Sequence, residues 1–345
     1  MSKINVGIVG FGAIAKKVHM PNLMSLKNVK VKSIAELNAK KVTRFAKTQN
    51  ISGLYEDYDE MYKKSDLDAV FICLPSFLHF HAVRSAIQHG IHVFCEKPMG
   101  LSSEDAFELV KMAQEEELVL AVGYNRRLAE NYQRASKIVK SLKLGRILQV
   151  NAILVMSGPY VGWIPSSDWF FNDRYGVLYD LGSHLVDLTM YVLSDRITEV
   201  ASIGSNTLQG LNIYDNIAAV FTTEKGTLGT LNSGWKIPQD YSAIEVHATA
   251  GSLFANPIDM EIRHGSFNSL ERAAHHLRSA RKNLRVQHNS EAYLREDKAF
   301  IDAVRGNTNP LVSGVDALRV LEVLDAIKGS LETGKRTKVT FHTLH

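Results

Sequence analysis

Short apolar runs alternate with helical patterns of apolar and polar positions through the first third of the chain. Strands that alternate with helices indicate βαβ units and a parallel sheet covered on both faces. Because such crossovers are right-handed, the pattern predicts an open, doubly wound α/β sheet. The predicted strands are Ile4–Val9, Val29–Ala35, Ala69–Leu74, His92–Cys95 and Val119–Val122. The predicted helices are Ile14–Ser25, Ala39–Thr48, Leu78–His89 and Glu104–Glu115.

The pattern changes after about Gly123. A helical stretch, Leu128–Leu142, leads into a strand at Ile147–Met156, and several strand-like runs without intervening helices follow between residues 197 and 262. Strands in succession indicate an antiparallel sheet, hence an α+β domain. Two helical segments, Glu291–Val304 and Val315–Leu331, precede a last strand near Val339. We therefore expect two domains, residues 1–123 and residues 124–345.

Composition excludes several classes of protein. The net charge of +4 is small for 345 residues, so we expect no nucleic-acid or membrane partner. No apolar run approaches the ~20 residues that span a bilayer, and the first residues do not resemble a signal peptide. The two cysteines, Cys73 and Cys95, follow apolar runs, indicate buried free thiols in a reducing compartment and belong to no spaced set of metal ligands. With neither a signal peptide nor a spanning run, we predict a cytoplasmic protein without a metal centre.

A glycine-rich turn follows the first predicted strand and opens the first predicted helix. Its spacing is G-x-G-x-x-A: the first glycine allows a tight turn, the second lets the backbone approach a pyrophosphate, and the alanine permits close packing of helix on strand. The free N–H groups of the helix would then face the phosphates. We predict a dinucleotide site here. Its residues are Gly10, Phe11, Gly12, Ala13 and Ile14, with Ala15 completing the motif.

Glu36 ends the second predicted strand. A carboxylate at this place accepts hydrogen bonds from the adenosine ribose and repels a 2′-phosphate. No basic residue follows immediately, the nearest being Lys40 and Lys41. The sequence therefore favours NAD over NADP, with an exposed loop acid as the alternative.

Further candidates follow the later strands, because ligands of such sheets lie beyond the carboxyl ends of the strands. Leu74, Pro75 and Ser76 close one strand, His79 follows shortly after, and Glu96, Lys97 and Pro98 follow the next strand. We assign these residues, apart from Pro98, to the cofactor site, with a helix-start histidine as the alternative for His79. The amine of Lys97 can bond a substrate hydroxyl and transfer a proton. A cis bond before Pro98 would help to aim Lys97, although Lys-Pro is also common in surface turns.

Asp180 and His184 lie four residues apart in a helical stretch, so both project from one face of a helix. Imidazole titrates near neutrality and suits the acceptance of a hydroxyl proton. Asp180 would orient that imidazole or bind substrate. A capping aspartate and a core histidine are the alternative interpretation.

The order of these motifs, with Gly123–Arg127 (Gly-Tyr-Asn-Arg-Arg) between Glu-Lys-Pro and Asp-Leu-Gly-Ser-His, resembles the glucose–fructose oxidoreductase/inositol dehydrogenase/MocA family along essentially the whole chain. The resemblance implies a Rossmann domain, a second domain with a large open sheet that forms homodimers or homotetramers, and NAD(P)-dependent oxidation or reduction of a sugar or polyol. It implies Lys97, Asp180 and His184 as the catalytic trio, with His184 as the general acid/base. Asn125 and Arg126 are weaker candidates for substrate binding.

Two departures from the family pattern affect the expected substrate. One glycine, Gly176, precedes the Asp-x-Gly-x-His segment where the family often has several, and Leu74-Pro75-Ser76 replaces the common Thr-Pro-Asn. The loop Tyr160–Tyr175 is rich in aromatic residues that suit the C–H face of a sugar, and Trp163 and Trp169 are candidate substrate contacts, although packing explains such a loop equally well.

Two other activities fit the same motifs. Tightly held NAD would support redox-assisted cleavage of a glycoside, and the fold also suits a dinucleotide-sensing regulator without catalysis. The basic stretch from Arg272 to Arg285 would bind the phosphates of a nucleotide-sugar, or it is a solvated surface segment.

Overall fold

The computed structural model describes residues 3–157, 173–207, 212–235, 237–264 and 290–344. These residues fall into two compact units. The first comprises residues 1–125, 290–325 and 341–345, and the second comprises residues 126–289 and 326–340.

The first unit is built on a parallel sheet with the strand order β3-β2-β1-β4-β5-β6, which confirms the predicted doubly wound fold. The glycine turn follows the central strand β1, so helices leave the sheet on both sides of it. The short strand β3 and the helix after it were not predicted; Asp57 caps that helix by accepting the N–H of Glu60 at 2.9 Å. The strands are β1 (Ile4–Val9), β2 (Val29–Ala35), β3 (Gly53–Tyr55), β4 (Ala69–Ile72), β5 (His92–Cys95) and β6 (Leu120–Val122).

Helices connect these strands, and those named from the sequence are confirmed with small shifts of their ends. The helices are α1 (Met20–Ser25), α2 (Thr43–Thr48), α3 (Tyr58–Lys64), α4 (His79–Gln88) and α5 (Ser103–Glu115). A π-helical turn, Ala15–His19, leads into α1. Within the part of the chain that the structure describes, no helix has the length and apolarity needed to cross a membrane.

The end of the chain returns to the first unit through α8 (Ser290–Val304) and the beginning of α9 (Gly314–Thr333). Phe300 of α8 packs against Phe71 and Phe94 of the parallel sheet, with ring centroids 5.3 and 5.7 Å away. The compact units therefore differ from the predicted division after Gly123. Apolar periodicity identifies α8 as a helix but carries no information about which sheet it covers.

The second unit contains an eight-stranded sheet of order β13-β12-β11-β7-β10-β9-β8-β14, mostly antiparallel, with one parallel pair, β7 and β10. The expected open sheet is confirmed. One face packs on helices, and side chains alternate between buried and exposed along β9. The strands are β7 (Ile147–Val155), β8 (Ile197–Ser205), β9 (Asn216–Thr223), β10 (Leu228–Gly234), β11 (Tyr241–Ala248), β12 (Gly251–Ala255), β13 (Met260–His264) and β14 (Thr337–Lys338).

A buried ion pair fixes the helix that carries His184. Helices α6 (Glu130–Lys140) and α7 (Ser183–Leu193) belong to this unit. Nε of Arg127 lies 2.9 Å from both carboxylate oxygens of Asp187 on α7, and the side chains are 9% and 1% exposed. Two charges in such a place stabilise the fold only as a pair.

Arg127→Ala is therefore expected to lower the free energy of unfolding by ~3–5 kcal/mol, because the Asp187 carboxylate is left buried without its counter-ion. The matched control is Arg196→Ala, which removes the exposed pair with Glu224 and is expected to lower the free energy of unfolding far less, because solvent screens an exposed ion pair. Urea denaturation measures both. Equal losses in the two variants would contradict the assigned role of the buried pair.

Candidate active site

The glycine turn after β1 has the shape that a pyrophosphate requires. Gly10 has φ +80°, and a Cβ at this position would lie 2.8 Å from the carbonyl oxygen of Cys73, so only glycine fits. At Gly12, by contrast, an added Cβ would meet nothing within 4 Å. Ala15 is fully buried where the helix packs on the sheet. The exposed backbone at Gly12 and the helix that follows form a cradle that fits the phosphates of a dinucleotide.

Glu36 lies beside this turn, at the end of β2. Its Oε2 accepts the backbone N–H of Phe11 at 2.8 Å, and its Oε1 accepts that of Asn38 at 3.3 Å. The carboxylate is therefore held between the turn and the loop after β2, where the sequence predicts the ribose. The side chain of Phe11 is buried against Phe45, so Phe11 offers the site only its backbone.

The segments after β4 and β5 are joined by His79. Its Nδ1 lies 2.7 Å from the carbonyl oxygen of Pro98, and its Nε2 lies 2.8 Å from that of Leu74. The Lys97–Pro98 bond is cis. His79 thus holds the two strand ends at the carboxyl edge of the sheet, and direct contact between His79 and a cofactor stays a prediction. Leu74, Pro75 and Ser76 are half-buried at this edge.

Glu96 belongs to a buried charged triad with His19 and Asp297. Nε2 of His19 lies 2.9 Å from Oε1 of Glu96, and Nδ1 lies 2.8 Å from Oδ1 of Asp297. The second oxygen of Glu96 accepts the backbone N–H of Lys97 at 3.1 Å. The second oxygen of Asp297 accepts Nδ2 of Asn22 at 2.8 Å.

These contacts change the protonation of the triad. Burial opposes a charge on His19, but the carboxylate of Asp297, and after it that of Glu96, more than offsets burial and holds the pKa of His19 well above its ordinary value. Burial likewise opposes a charge on Glu96, and the hydrogen bond and charge of His19 outweigh it, so the pKa of Glu96 is lowered. His19 is therefore an imidazolium between two carboxylates. The nearby thiols of Cys73 and Cys95 are free and buried, as expected, and burial raises their pKa.

In the second unit, Asp180 lies in a π-helical turn, Leu178–Gly182, that runs into α7. The predicted helix is therefore present, but its turn at Asp180 is wider than that of an α-helix; such π segments are frequent at functional sites. Oδ2 of Asp180 accepts the indole N–H of Trp235 at 3.0 Å. His184 lies in the first turn of α7 and is 9% exposed.

The segment before this turn is anchored by Tyr175. Its hydroxyl donates to Oε1 of Glu332 at 2.6 Å, and burial together with that carboxylate raises the pKa of Tyr175 to about 12. The amine of Lys328 lies over the rings of Tyr175 and Tyr179, 5.7 Å from each centroid. Tyr175 therefore holds the loop end in place. Trp163, Trp169 and the basic stretch from Arg272 to Arg285 lie outside the described residues.

The two weaker substrate candidates occupy different surroundings. Asn125 is 2% exposed, in the first unit. Arg126 is half-buried in the second unit, with Nη1 3.5 Å from the hydroxyl of Ser242, which also contacts the hydroxyl of Tyr132 at 2.9 Å. Their roles in substrate binding stay predictions.

Sequence reasoning missed three residues that hold the predicted ones: His19, Asp297 and Trp235. His19 follows the glycine turn and Trp235 follows a strand, but neither position shows a partner. The partners of His19 are 77 and 278 positions away. The one sequence feature that could have pointed to this triad is the polar residue His19 on the apolar face of the first predicted helix.

The triad predicts a pH dependence of stability. Because the pKa of His19 is higher in the folded protein than in the unfolded chain, protonation of His19 adds to the free energy of unfolding. This contribution is fully present below the unfolded pKa of 6.5 and is lost as the pH rises through the folded pKa. The lowered Glu96 pKa adds stability above 4.5 that is lost as pH falls. The difference in unfolding free energy between the wild type and His19→Gln is therefore expected to shrink as the pH rises above 6.5, as measured by urea denaturation.

His92→Gln is the control for this experiment. His92 lies at the start of β5, and burial lowers its pKa, so its contribution has the opposite sign and does not shrink over the same interval. A difference for His19→Gln that stays constant with pH would contradict the assignment of an imidazolium.

Comparison with known proteins identifies relatives that match over most of the chain. The sequence profile described as "Oxidoreductase family, NAD-binding Rossmann fold" matches residues 4–124, and that of the "GFO/IDH/MocA C-terminal domain" matches residues 132–254. Myo-inositol 2-dehydrogenase of Thermotoga maritima is 24% identical over 97% of this chain and 98% of its own length.

Solved structures share the fold. WlbA dehydrogenase from Bordetella pertussis, in complex with NADH and UDP-GlcNAcA, superposes with a TM-score of 0.85 at 20% identity and covers 99% of both chains. Scyllo-inositol dehydrogenase from Lactobacillus casei, with bound NAD(H) and scyllo-inositol, has a TM-score of 0.80 at 24% identity over 98% of this chain and 99% of its own. With both domain profiles matched in order, the chain belongs to the glucose–fructose oxidoreductase/inositol dehydrogenase/MocA family of oxidoreductases, with an NAD-binding Rossmann domain.

Proposed function

We propose that this protein transfers a hydride between the nicotinamide of NAD and a secondary alcohol or ketone of a sugar, cyclitol or sugar derivative. The observation that carries the proposal is the position of Lys97, directly after β5, at the same carboxyl edge as the glycine turn and Glu36. A half-buried lysine at this edge can offer its amine to a reacting oxygen beside a dinucleotide. The relatives named above act on cyclitols or bind a nucleotide-sugar, which supports the substrate class.

In the direction of oxidation, His184 accepts the proton of the substrate hydroxyl. Lys97 donates a hydrogen bond to the same oxygen and stabilises the negative charge that develops on it. Asp180 orients the substrate, and the indole N–H of Trp235 fixes the Asp180 carboxylate in turn. When bound, NAD supplies the hydride acceptor, and the products are a ketone and NADH. In this proposal, residues 1–123 carry the cofactor with the support of α8, and the second unit binds the substrate and forms the oligomer.

NAD is the proposed cofactor because of Glu36. Its carboxylate is held by the N–H groups of Phe11 and Asn38, beside the turn that receives the phosphates. A fixed negative charge there repels the 2′-phosphate of NADP.

The cytoplasmic location of the protein stays a prediction.

The test is reduction of NAD or NADP, followed by the near-ultraviolet absorbance of the reduced nicotinamide, against cyclitols, aldoses, glycosides and nucleotide-sugars. We expect reduction of NAD with one polyol class. Lys97→Ala and His184→Ala are each expected to lower kcat by ~10²–10⁴-fold, because each removes a group that takes part in proton transfer. The Kd for NAD is expected to stay nearly unchanged, because the glycine turn is intact in both variants.

Lys111→Ala and His89→Ala are matched controls with exposed side chains and are expected to keep wild-type turnover. Near-normal kcat in both active-site variants would refute the catalytic assignment. Release of an aglycone without net NADH, by protein purified with bound NAD, would instead support redox-assisted glycoside cleavage. Bound NAD without any turnover would support a regulator.

We also propose that the protein is a homodimer or homotetramer assembled through the open face of the eight-stranded sheet. Ile203, Val220 and Leu228 are 79%, 50% and 53% exposed there, and the strand register places them on the same face. Exposed apolar side chains grouped on one sheet face are typical of an interface.

Light scattering tests this assembly. The wild type is expected to have a multiple of the mass of one chain, and Val220→Glu is expected to lower that mass, because a carboxylate would be buried against the second copy. Leu142→Glu, at a position just after α6 that is 74% exposed and belongs to no strand, is the control. A monomeric wild type would refute the proposal.

A further inference from the structure

His19 is removed from the protein surface and enclosed by aromatic rings. It is fully buried, and the rings of Phe71, Phe94 and Tyr293 lie with centroids 5.4, 5.3 and 6.3 Å from its own. A buried imidazole in such a place needs a partner at each nitrogen. Both partners are carboxylates, Glu96 and Asp297.

The contacts of His19 form a continuous chain that ends on the backbone of Lys97. The Asn22 amide donates to Asp297, Asp297 contacts His19, His19 contacts Glu96, and the second oxygen of Glu96 accepts the Lys97 N–H. Each link is 3.1 Å or shorter. The position of the Lys97 peptide therefore depends on where His19 holds the Glu96 carboxylate.

The space around Glu96 is adapted to this geometry. A Cβ at Gly123 would lie 3.2 Å from Oε2 of Glu96, the oxygen that accepts the Lys97 N–H, and 3.3 Å from Phe94. Glycine at the end of β6 leaves the carboxylate free to reach both His19 and the Lys97 peptide. The absence of a side chain at Gly123, directly after β6, thus leaves room for the Glu96 carboxylate of the triad.

We propose that His19 is a positioning residue of the active site, holding the peptide that carries Lys97 through the Glu96 carboxylate. This inference rests on the proposed function, since it assigns Lys97 a reacting oxygen to contact. His19 touches neither substrate nor cofactor. It lies on the helix that begins at the phosphate-binding turn, so the triad links the placement of Lys97 to the same helix that receives the dinucleotide.

His19→Gln tests the inference, because glutamine keeps a side-chain N–H donor but carries no charge and cannot span both carboxylates. The first measurement needs no substrate: hydrogen exchange of the Lys97 amide. We expect it to accelerate by ~10-fold or more, because the acceptor Glu96 loses a charge-assisted hydrogen bond. The Glu36 amide, bonded to the carbonyl oxygen of Tyr55, is the internal reference and is expected to keep its rate.

The second measurement is turnover with NAD and the polyol that the wild type oxidises. Misplacement of a catalytic group costs up to ~10²-fold in rate, so kcat is expected to fall by ~10–100-fold. The KM for NAD is expected to change by less than about threefold, because the glycine turn and Glu36 are untouched. His92→Gln, at the other end of β5, is the matched control and is expected to change neither quantity.

Asp297→Asn provides a second variant should His19→Gln fold poorly; it is expected to accelerate Lys97 exchange in the same direction. The double variant is expected to be no worse than His19→Gln alone, because both act along one path. Unchanged Lys97 exchange would overturn the inference. So would equal acceleration at Lys97 and Glu36, which would indicate general loosening, or local acceleration with an unchanged kcat. If the wild type oxidises no polyol, the proposed function fails, while exchange at Lys97 still decides whether His19 holds this peptide.

Discussion

An imidazolium buried in a protein must be neutralised where it lies, and the first unit of this protein satisfies that requirement at His19. The ring nitrogens reach Glu96 at the end of β5 and Asp297 in α8, while His19 itself follows the glycine turn. Three segments that are far apart in the sequence are thereby fixed to one ring. Because removing either carboxylate would leave one buried ring N–H of His19 without its acceptor, the arrangement tolerates little displacement of any of the three. The Lys97 peptide, which donates its N–H to Glu96 at the carboxyl edge of the sheet, is thereby held in a defined position.

The second unit uses a comparable arrangement around its own candidate residues. The Arg127–Asp187 pair holds α7 at a point one turn beyond His184, and Trp235 holds Asp180 just before α7 begins. The wider π turn between these anchors places Asp180 and His184 in different helical segments. Polar groups that are fixed in advance do not have to be ordered when a substrate arrives, which is the physical advantage of such supports.

The sequence predicts the parts of this structure that depend on local pattern. The alternation of apolar runs and helical stretches predicts the doubly wound sheet, and G-x-G-x-x-A after a strand predicts the turn whose Gly10 has positive φ. Strand β3 has three residues, too few for a periodicity to show. The π turn at Asp180 has no sequence signature. The partners of His19 and the sheet that α8 covers depend on tertiary contacts, which a linear pattern does not encode.

The return of the chain's end to the first unit has a consequence for biosynthesis. Asp297 and Phe300 belong to the core around His19 in the first unit. In the second unit, the hydroxyl oxygen of Ser330 accepts the backbone N–H of Ser202 in β8. Each unit therefore contains residues that come after position 290. A ribosome therefore exposes the glycine turn and β1 long before either core can close, although domains commonly fold in order from the N-terminus. All six strands of the first sheet are therefore made before α8, which packs Phe300 on Phe71 and Phe94, has been translated. For the same reason, a cut after Asn125 would separate the cofactor fold from the helix that completes it.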